Sequence, residues 1–178
     1  MNYNEEKWMT VEGVELLQEI GIKRGQVVLD FGCGTGYYTI PTAFVVGRSG
    51  RVYALDKDGD ALDELMEKAR KFGLSNIAPV KTSGELKTNL ESNFFDVILL
   101  YDVLHHYYFS WEERERLLKE IHRVSGEGAL LSVFPKHMNL TKIRKEVEDA
   151  GFHFKNRFFK KLIHYYNYEE GHILNFYK

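Results

Sequence analysis

The chain has one cysteine, Cys33, three prolines and no strong excess of charge of either sign. A single cysteine excludes an internal disulfide and a thiolate metal cluster. The formal net charge of −2 gives no general attraction to nucleic acid or to an anionic membrane. No apolar run approaches the ~20 residues of a membrane helix, and the start, MNYNEEKW, lacks the cationic and apolar regions of a signal peptide. We therefore expect a cytoplasmic protein with no membrane partner.

The order of apolar and amphipathic segments predicts the fold class. Segments typical of strands and helices alternate almost from end to end, which favours a parallel sheet with helices on both faces. The run from Phe94 to Tyr101 is nearly all apolar and predicts a buried central strand. Pro79 places the run NIAPVK at a sheet edge. The tail has no helical period and predicts two strands joined as a hairpin through Glu169 to Gly171.

The most informative stretch is VVLDFGCGTGYYT, Val27 to Thr39. An apolar strand there runs into three alternating glycines, Gly32, Gly34 and Gly36, and a helical segment follows. Glycine at such a junction lets the chain turn sharply and lets a ligand lie against bare backbone. Asp56 ends the next apolar run about twenty residues on, where such folds place a ribose-binding carboxylate. The pattern predicts a site for a nucleoside-containing cofactor.

The spacing within this loop disfavours a dinucleotide. The dinucleotide fingerprint needs glycine at its first, third and sixth positions, and the sixth position counted from Gly32 is Tyr37, which is too large. A pyrophosphate also needs a bare helix N-terminus. Here Asp30 stands two residues before Gly32, and a carboxylate suits the cationic ammonium end of a methionine moiety, directly or through water. These details favour S-adenosylmethionine.

Together the motifs resemble the class I S-adenosylmethionine-dependent methyltransferases, in their compact, small-molecule-like branch. Four segments stand in the order and spacing of that family: LDFGCGTGYYT, VYALDKD, FDVILLYDVLHHY and GALLSVF. The resemblance runs from about Val11 to the C-terminus. It implies a Rossmann-like three-layer α/β sandwich, with a mostly parallel seven-stranded sheet that ends in an antiparallel hairpin. We expect one methyltransferase domain, 1–178, with an N-terminal helix or lid segment at 1–24 and a Rossmann-like core at 25–178.

The resemblance also implies how the first two motifs would bind the cofactor. Asp30, Gly32, Gly34 and Gly36 would hold its methionine end and let it approach the backbone. Asp56 would accept hydrogen bonds from both ribose hydroxyls, an arrangement that a carboxylate satisfies well.

The adenine contact is where the chain departs from the family. Lys57 could flank the adenine, and Tyr101 would offer its backbone carbonyl to the amino group of the cofactor. Many members carry an acid after the third strand, where the segment TSGEL has Ser83 and Gly84. Ser83, a backbone amide or Glu85 are the alternatives for that contact.

The candidate catalytic residues follow the central strand. Methyl transfer from a sulfonium mainly requires alignment, and a base is needed only if the acceptor must lose a proton, as a phenol or an enol carbon would. His105 and His106 are the candidates, at the carboxyl edge of the sheet, where open α/β folds bind ligands. The alternative is that one of them only caps the strand end. Tyr107, Tyr108 and Phe109 would add an aromatic lip.

Four other residues have open interpretations. Tyr3 and Trp8 could fold over the cofactor as a lid, or simply pack. Asp102 could bind substrate, orient a histidine or be a solvated loop acid. For Cys33 we expect a packing role.

Missing motifs narrow the acceptor. No Asn/Asp-Pro-Pro-aromatic tetrapeptide follows the central strand, which disfavours an exocyclic base amine as acceptor. No Pro-Cys pair exists, which removes the thiolate mechanism for cytosine carbon. The acid cluster of metal-dependent catechol-type enzymes is not evident, so we predict no metal.

The leading hypothesis is methyl transfer from S-adenosylmethionine to a small-molecule acceptor, with S-adenosylhomocysteine as the other product, by a monomer or homodimer. One alternative is RNA or protein methylation, with a backbone held by the tail residues Lys155, Arg157, Lys160 and Lys161 and the phenylalanines between them. Another is a non-catalytic, cofactor-binding partner subunit.

Overall fold

The computed structural model describes residues 3–164 and 167–178. Its strands are β1 Val27–Phe31, β2 Arg51–Asp56, β3 Ile77–Lys81, β4 Phe95–Tyr101, β5 Ser125–Phe134, β6 His153–His164 and β7 Asn167–Tyr177. Its helices are α1 Tyr3–Lys7, α2 Gly13–Ile20, α3 Thr39–Val46, α4 Gly59–Lys71, α5 Trp111–Val124 and α6 Leu140–Asp149. A π-helical segment, Trp8–Glu12, lies between α1 and α2.

The strands form one seven-stranded sheet in the order β3-β2-β1-β4-β5-β7-β6. Neighbours among β1 to β5 pair in parallel, and β7 is antiparallel to both β5 and β6. The predicted fold class is therefore confirmed, with β4 central and Pro79 in an edge strand. In the described part of the chain, no helix is long and apolar enough to span a membrane.

Two hydrophobic cores lie on the two faces of the sheet. Successive side chains of a strand point to opposite faces, so Leu99 joins one core while Ile98 and Leu100 join the other. The helices α2, α3 and α4 cover the first face, and α5 and α6 cover the second. This is the predicted three-layer arrangement, and it leaves the carboxyl ends of the parallel strands open at one edge.

The helix α5 begins at a capping box and buries one apolar face. Ser110 and Glu113 form a reciprocal capping box, with the Glu113 amide donating to Ser110 Oγ at 3.2 Å and the Ser110 amide donating to Glu113 Oε2 at 2.8 Å. Leu117, Leu118 and Ile121 are buried. Complete burial of each leucine contributes about 2 kcal/mol.

The N-terminal segment, for which the sequence predicts a helix or a lid, is helical in the described residues and places a tryptophan in the core. Trp8 is 1% exposed, and its indole N–H donates to the carbonyl oxygen of Tyr37 at 2.7 Å. Its ring also meets Tyr38 edge-on at 5.6 Å. Trp8 is thus a core residue and not a lid, because its large ring gains more from burial with its N–H satisfied. Tyr3 remains 78% exposed.

The position predicted for the hairpin turn is wrong. The register of β6 and β7 runs from His153 opposite Tyr177 to His164 opposite Asn167, so Glu169 to Gly171 lie inside β7. Glycine is required at position 171 for packing. A Cβ atom there would lie 2.6 Å from Cε2 of Phe134, so the glycine marks a close approach of β7 to that ring rather than a turn.

Gly36 connects the glycine loop to the helical layer. Its φ angle is +91°, and a Cβ atom on it would lie 2.2 Å from Cδ1 of Leu65 in α4. Leu65 is completely buried and has little room to move. The third glycine of the loop is therefore required for packing of the loop against α4.

We expect Gly36→Ala to destabilise the protein more than Gly73→Ala. Gly73 also has a positive φ, +66°, but no atom lies within 4 Å of its would-be Cβ, so only backbone strain of about 1–2 kcal/mol applies there. The clash with Leu65 adds about 1–3 kcal/mol at Gly36. Urea denaturation of both variants measures the difference, and equal losses would contradict the packing role.

Candidate functional site

A cavity of about 910 Å³ opens at the carboxyl ends of β1, β2 and β4. Its wall consists of Phe31, Gly32, Gly34, Leu55, Asp56, Lys57, Asp58, Ala61, Thr82, Ser83, Gly84, Glu85, Leu86, Tyr101, Asp102, Val103, Tyr107, Tyr108, Phe109 and Glu113. The parallel strands bring the ends of three separate motifs to this edge, as open α/β sheets do. Another cavity, of about 740 Å³ between α6 and the β6–β7 hairpin, contains none of the predicted site residues.

Seven of the eleven predicted site residues lie on the wall of this cavity: Gly32, Gly34, Asp56, Lys57, Ser83, Gly84 and Tyr101. Asp30, Gly36, His105 and His106 do not line it. Sequence reasoning gave no role to Asp58, Ala61, Thr82, Leu86, Val103 and Glu113. Of these, Thr82 directly follows β3 and Asp58 comes two residues after the end of β2, so their positions in the chain could have indicated a place in the site.

The glycine loop and Asp56 are joined by hydrogen bonds. The Gly34 amide donates to Asp56 Oδ2 at 2.8 Å, and the Asp58 amide donates to Asp56 Oδ1 at 3.0 Å. The Gly32 amide donates to the Leu55 carbonyl at 2.7 Å. Each carboxylate oxygen can accept more than one hydrogen bond, so Asp56 is held in place and keeps acceptor capacity.

The backbone of the loop leaves room on its cavity side. Gly34 has a φ of +50°, and a Cβ atom on it would meet nothing within 4 Å. At Gly32 a Cβ atom would instead lie 2.8 Å from Cγ2 of Val103. The loop therefore presents bare backbone to the cavity at Gly34, while Gly32 permits close packing of the loop on the segment after β4.

The Asp30 and Cys33 side chains are buried beneath the loop. The Thr39 hydroxyl donates to Asp30 Oδ2 at 2.6 Å, and Asp30 is only 3% exposed. Burial raises the pKa of Asp30 to about 7, although the Thr39 hydrogen bond opposes this shift. Burial also raises the pKa of the Cys33 thiol, which is therefore a poor nucleophile.

The segment after β3 forms the far wall of the cavity. The Thr82 amide donates to the Asp56 carbonyl at 3.0 Å, which fixes the start of this segment against β2. Further on, Glu120 of α5 accepts from the amide and the hydroxyl of Thr88 at 2.8 and 2.7 Å. The segment is thus held at both ends, and Ser83, Gly84 and Glu85 line the cavity between them.

The hydroxyl of Tyr101 is engaged within the sheet. It lies 2.9 Å from Ser132 Oγ, and the Tyr101 ring meets the Tyr38 ring edge-on at 4.6 Å. Burial raises the pKa of both tyrosines. Tyr101 therefore supports the cavity floor as a neutral residue.

His105 shapes the segment that carries the aromatic lip. Its Nδ1 accepts from the Tyr107 amide at 3.1 Å, and its carbonyl accepts from the amides of Tyr108 and Phe109, both at 3.0 Å. Burial and neighbouring histidines lower its pKa, which keeps the ring neutral and able to accept. This geometry favours the capping alternative for His105. His106 is exposed, with Nδ1 3.4 Å from the sulfur of Met138.

The turn at His105 places three aromatic rings at the cavity. Tyr107 is 79% exposed and Tyr108 is 53% exposed, and both line the wall with Phe109. Exposed apolar surface of this kind next to a cavity is typical of a ligand-binding site. The predicted lip therefore exists as a structural feature.

The sequence did not predict one contact between two side chains of the site. Asp102 Oδ2 lies 2.9 Å from Nδ1 of His164, the last residue of β6. Burial raises the pKa of Asp102 to about 6, against the opposing charge of Lys136. Burial and the charge of Lys136 lower the pKa of His164 to about 4. At neutral pH the contact is therefore a hydrogen bond from a neutral imidazole to a carboxylate, not an ion pair.

Metal ligands are not grouped in this site. Within residues 3–164 and 167–178, no three His, Cys, Asp or Glu side chains lie together as a metal ion would require.

A family model described as "Methyltransferase domain" matches residues 28–128, more than half of the chain. The chain belongs to this methyltransferase family. The matched region contains the glycine loop, Asp56, β4 and the aromatic lip, which are the parts that build the cavity.

Curated relatives of this methyltransferase chain are longer than the chain itself. It is 39% identical over 100 residues to a probable cobalt-precorrin-6B C(15)-methyltransferase (decarboxylating) of Saccharolobus solfataricus, covering 54% of this chain and 50% of the relative. It is 28% identical over 116 residues to a demethylmenaquinone methyltransferase of Geobacillus stearothermophilus, covering 65% and 47%. The chain therefore spans about half the length of these two relatives.

A solved structure matches almost the whole methyltransferase chain. A SAM dependent methyltransferase from Aquifex aeolicus has a TM-score of 0.73 at 25% identity, and the match covers 96% of this chain and 90% of that one. The resemblance to class I S-adenosylmethionine-dependent methyltransferases, predicted from four motifs, is confirmed.

We expect the stability of the ligand-free protein to fall as pH rises through the titration of Asp30. Its folded pKa, about 7, exceeds the usual 3.8, so between these values the folded state binds more protons than the unfolded state. Stability then falls by about 1.4 kcal/mol for each pH unit in this range, and the loss is complete above pH ~7. Asp30→Asn keeps an acceptor for Thr39 and removes the titration. Urea denaturation from pH 5 to 8 should show a steeper decline in the wild type than in Asp30→Asn, in which the raised pKa of Asp102 still contributes; parallel pH profiles would contradict the assignment.

Proposed function

We propose that this protein transfers the methyl group of S-adenosylmethionine to a small-molecule acceptor and releases S-adenosylhomocysteine. The observation that carries this proposal is the Asp56 carboxylate, held by the amides of Gly34 and Asp58 beside a bare glycine backbone. Membership of the methyltransferase family supports it. So do the names of the relatives, which describe methylation of a precorrin and of demethylmenaquinone, both small molecules.

The cavity residues fit the parts of S-adenosylmethionine. Asp56 would bind the ribose hydroxyls, because a carboxylate can accept from two neighbouring hydroxyls at once. Lys57 and the segment from Ser83 to Glu85 would flank the adenine. The backbone at Gly32 and Gly34 would face the methionine end, with the buried Asp30 beneath it. When bound, the cofactor supplies a methyl group already activated by the positive charge on sulfur.

The chain's own contribution would be mainly alignment and exclusion of water. The rings of Tyr107, Tyr108 and Phe109 lie on the same wall as Tyr101, so they would cover an acceptor placed beside the methyl group. Alignment of two reactants is a large term in such a transfer. A bound ligand would remove the apolar surface of these rings from water. Burial of that surface would contribute to binding.

The basic residues of β6 give little support to the alternative of RNA or protein methylation. Lys160 pairs with Glu19 at 2.6 Å, and Lys161 lies over the ring of Tyr168 and 3.6 Å from Glu12. Lys155 contacts Tyr177. These side chains are engaged within the chain, which favours protection of an exposed strand edge over polyanion binding. RNA binding that weakens steeply with salt would instead support the alternative.

We expect S-adenosylmethionine to bind, and Asp56→Ala to weaken binding by about 2–3 kcal/mol, because two hydrogen bonds to a charged acceptor are lost. Isothermal titration calorimetry measures both affinities. Asp63→Ala, at an exposed position of α4 away from the cavity wall, is the matched control and should bind like the wild type. Absence of binding at millimolar cofactor would refute the proposed function, and an unchanged affinity of Asp56→Ala would refute the ribose contact.

We expect Gly34→Ala to lose cofactor affinity while it stays folded. The new methyl group meets no protein atom, so the stability loss should be limited to backbone strain of about 1–2 kcal/mol. The same methyl group would occupy the surface that the cofactor needs, and we expect affinity to fall about tenfold or more. Calorimetry and thermal unfolding separate the two effects. Wild-type affinity in this variant would show that the cofactor does not approach Gly34.

A further inference from the structure

The segment after β4 meets the end of the β6–β7 hairpin at one carboxylate. Asp102 lines the cavity, and its Oδ2 lies 2.9 Å from Nδ1 of His164. The Asp102 amide donates to the carbonyl of Phe134 at 3.0 Å. Both the backbone and the side chain of Asp102 are therefore fixed from neighbouring elements, which is how a reactive group is held in position.

The backbone of Asp102 is in an unusual conformation. Its φ angle is 59°, in the left-handed region that few residues other than glycine adopt. His137, in the segment after β5, has a φ of 61°, and its ring meets the ring of His164 edge-on at 5.7 Å. Such conformations persist where the surrounding structure requires them, and they gather at functional sites.

The electrostatic surroundings suit Asp102 to accept a proton near neutral pH. Burial raises its pKa to about 6, so the carboxylate is mostly ionised at pH 7 yet more basic than an ordinary aspartate. The groups that face the Asp102–His164 pair from the packed elements are Tyr38 immediately before α3, His105 after β4, Lys136 and His137 after β5, and Glu169 of β7, which pairs with Lys136.

His105 and His106 are placed less well for this task. His105 accepts the Tyr107 amide at its Nδ1 and is not on the cavity wall, and His106 is exposed beside Met138. Asp102 shares the wall with Tyr101 and with the rings of Tyr107 and Tyr108. Stacking on such rings favours a flat acceptor, which would lie on the same wall as the carboxylate.

We propose that Asp102 is the base of the methyl transfer, that His164 positions it, and that the acceptor is a flat phenol or enol. This proposal rests on the proposed function. The acceptor O–H bond breaks and its proton passes to the Asp102 carboxylate. The acceptor atom that holds the released electron pair, oxygen in a phenol, forms the bond to the methyl carbon, and the carbon–sulfur bond breaks with its electrons going to sulfur. Asp102 then returns its proton to water.

The test uses 7-hydroxy-4-methylcoumarin, a flat phenol whose fluorescence changes on methylation, with the full chain and S-adenosylmethionine. Asparagine tolerates a positive φ, so Asp102→Asn should fold and lose only the base. We expect its kcat at pH 7 to fall 10²-fold or more, with little change in cofactor affinity. The deficit should shrink above the pKa of the phenol, because the phenolate then forms without a base. The wild-type rate should fall below pH ~6, as Asp102 becomes protonated.

Variants at His164 test the positioning role. His164→Phe removes the N–H donor to the Asp102 carboxylate. That hydrogen bond favours the charged form of the carboxylate, so its loss should shift the acid limb of the pH–rate profile to higher pH. His164→Asn retains a donor near the place of Nδ1 and should restore most of the wild-type profile. His153→Gln, at an exposed position of the same strand, is the control and should leave the profile unchanged.

The outcomes separate the two proposals. If the protein binds no S-adenosylmethionine, the proposed function fails and this inference fails with it. If it binds the cofactor but does not methylate the coumarin at any pH, this inference is refuted while the proposed function stands. If Asp102→Asn keeps more than a tenth of the activity at pH 7, or if its deficit is the same at high pH, Asp102 is not the base. An unshifted acid limb in His164→Phe would refute the role of His164.

Discussion

The hydrogen bond from the Gly34 amide to the Asp56 carboxylate joins the two strand ends on which the cavity depends. Gly34 has a φ of 50° at this point, in the left-handed region that glycine adopts without strain. The same loop packs on α4 through Gly36 and on Val103 through Gly32. The sheet, the helical layer and the segment after β4 therefore meet at one short stretch of backbone with almost no side-chain volume.

The opposite wall of the cavity depends on a second local feature of the backbone, the turn at His105. The buried ring accepts the Tyr107 amide, and the carbonyl of His105 accepts two further amides. These contacts let the chain leave β4, expose Tyr107 and Tyr108 at the cavity and enter α5 at the Ser110 cap. A histidine in a sequence motif can thus shape the backbone of a site.

Two acids of the site, Asp30 and Asp102, carry raised pKa values for the same physical reason, which is loss of water around the carboxylate. They differ in access. Asp30 lies beneath the loop with Thr39 and does not line the cavity, whereas Asp102 does. Burial therefore makes Asp30 a source of pH-dependent stability, and it makes Asp102 suited to exchange a proton with a ligand.

The sequence alone determined the order of strands and helices, the glycine loop, the acid at the end of β2 and the aromatic lip, because each depends on residues close together in the chain. It misplaced the hairpin turn at Gly171, where the glycine is needed for contact with Phe134. For Trp8 it left a lid and simple packing as alternatives, and the ring lies in the core. Only the tertiary structure decided that Asp102 meets His164. That contact depends on the register of β6 against β7, which is set by pairing along the whole hairpin and not by any local motif.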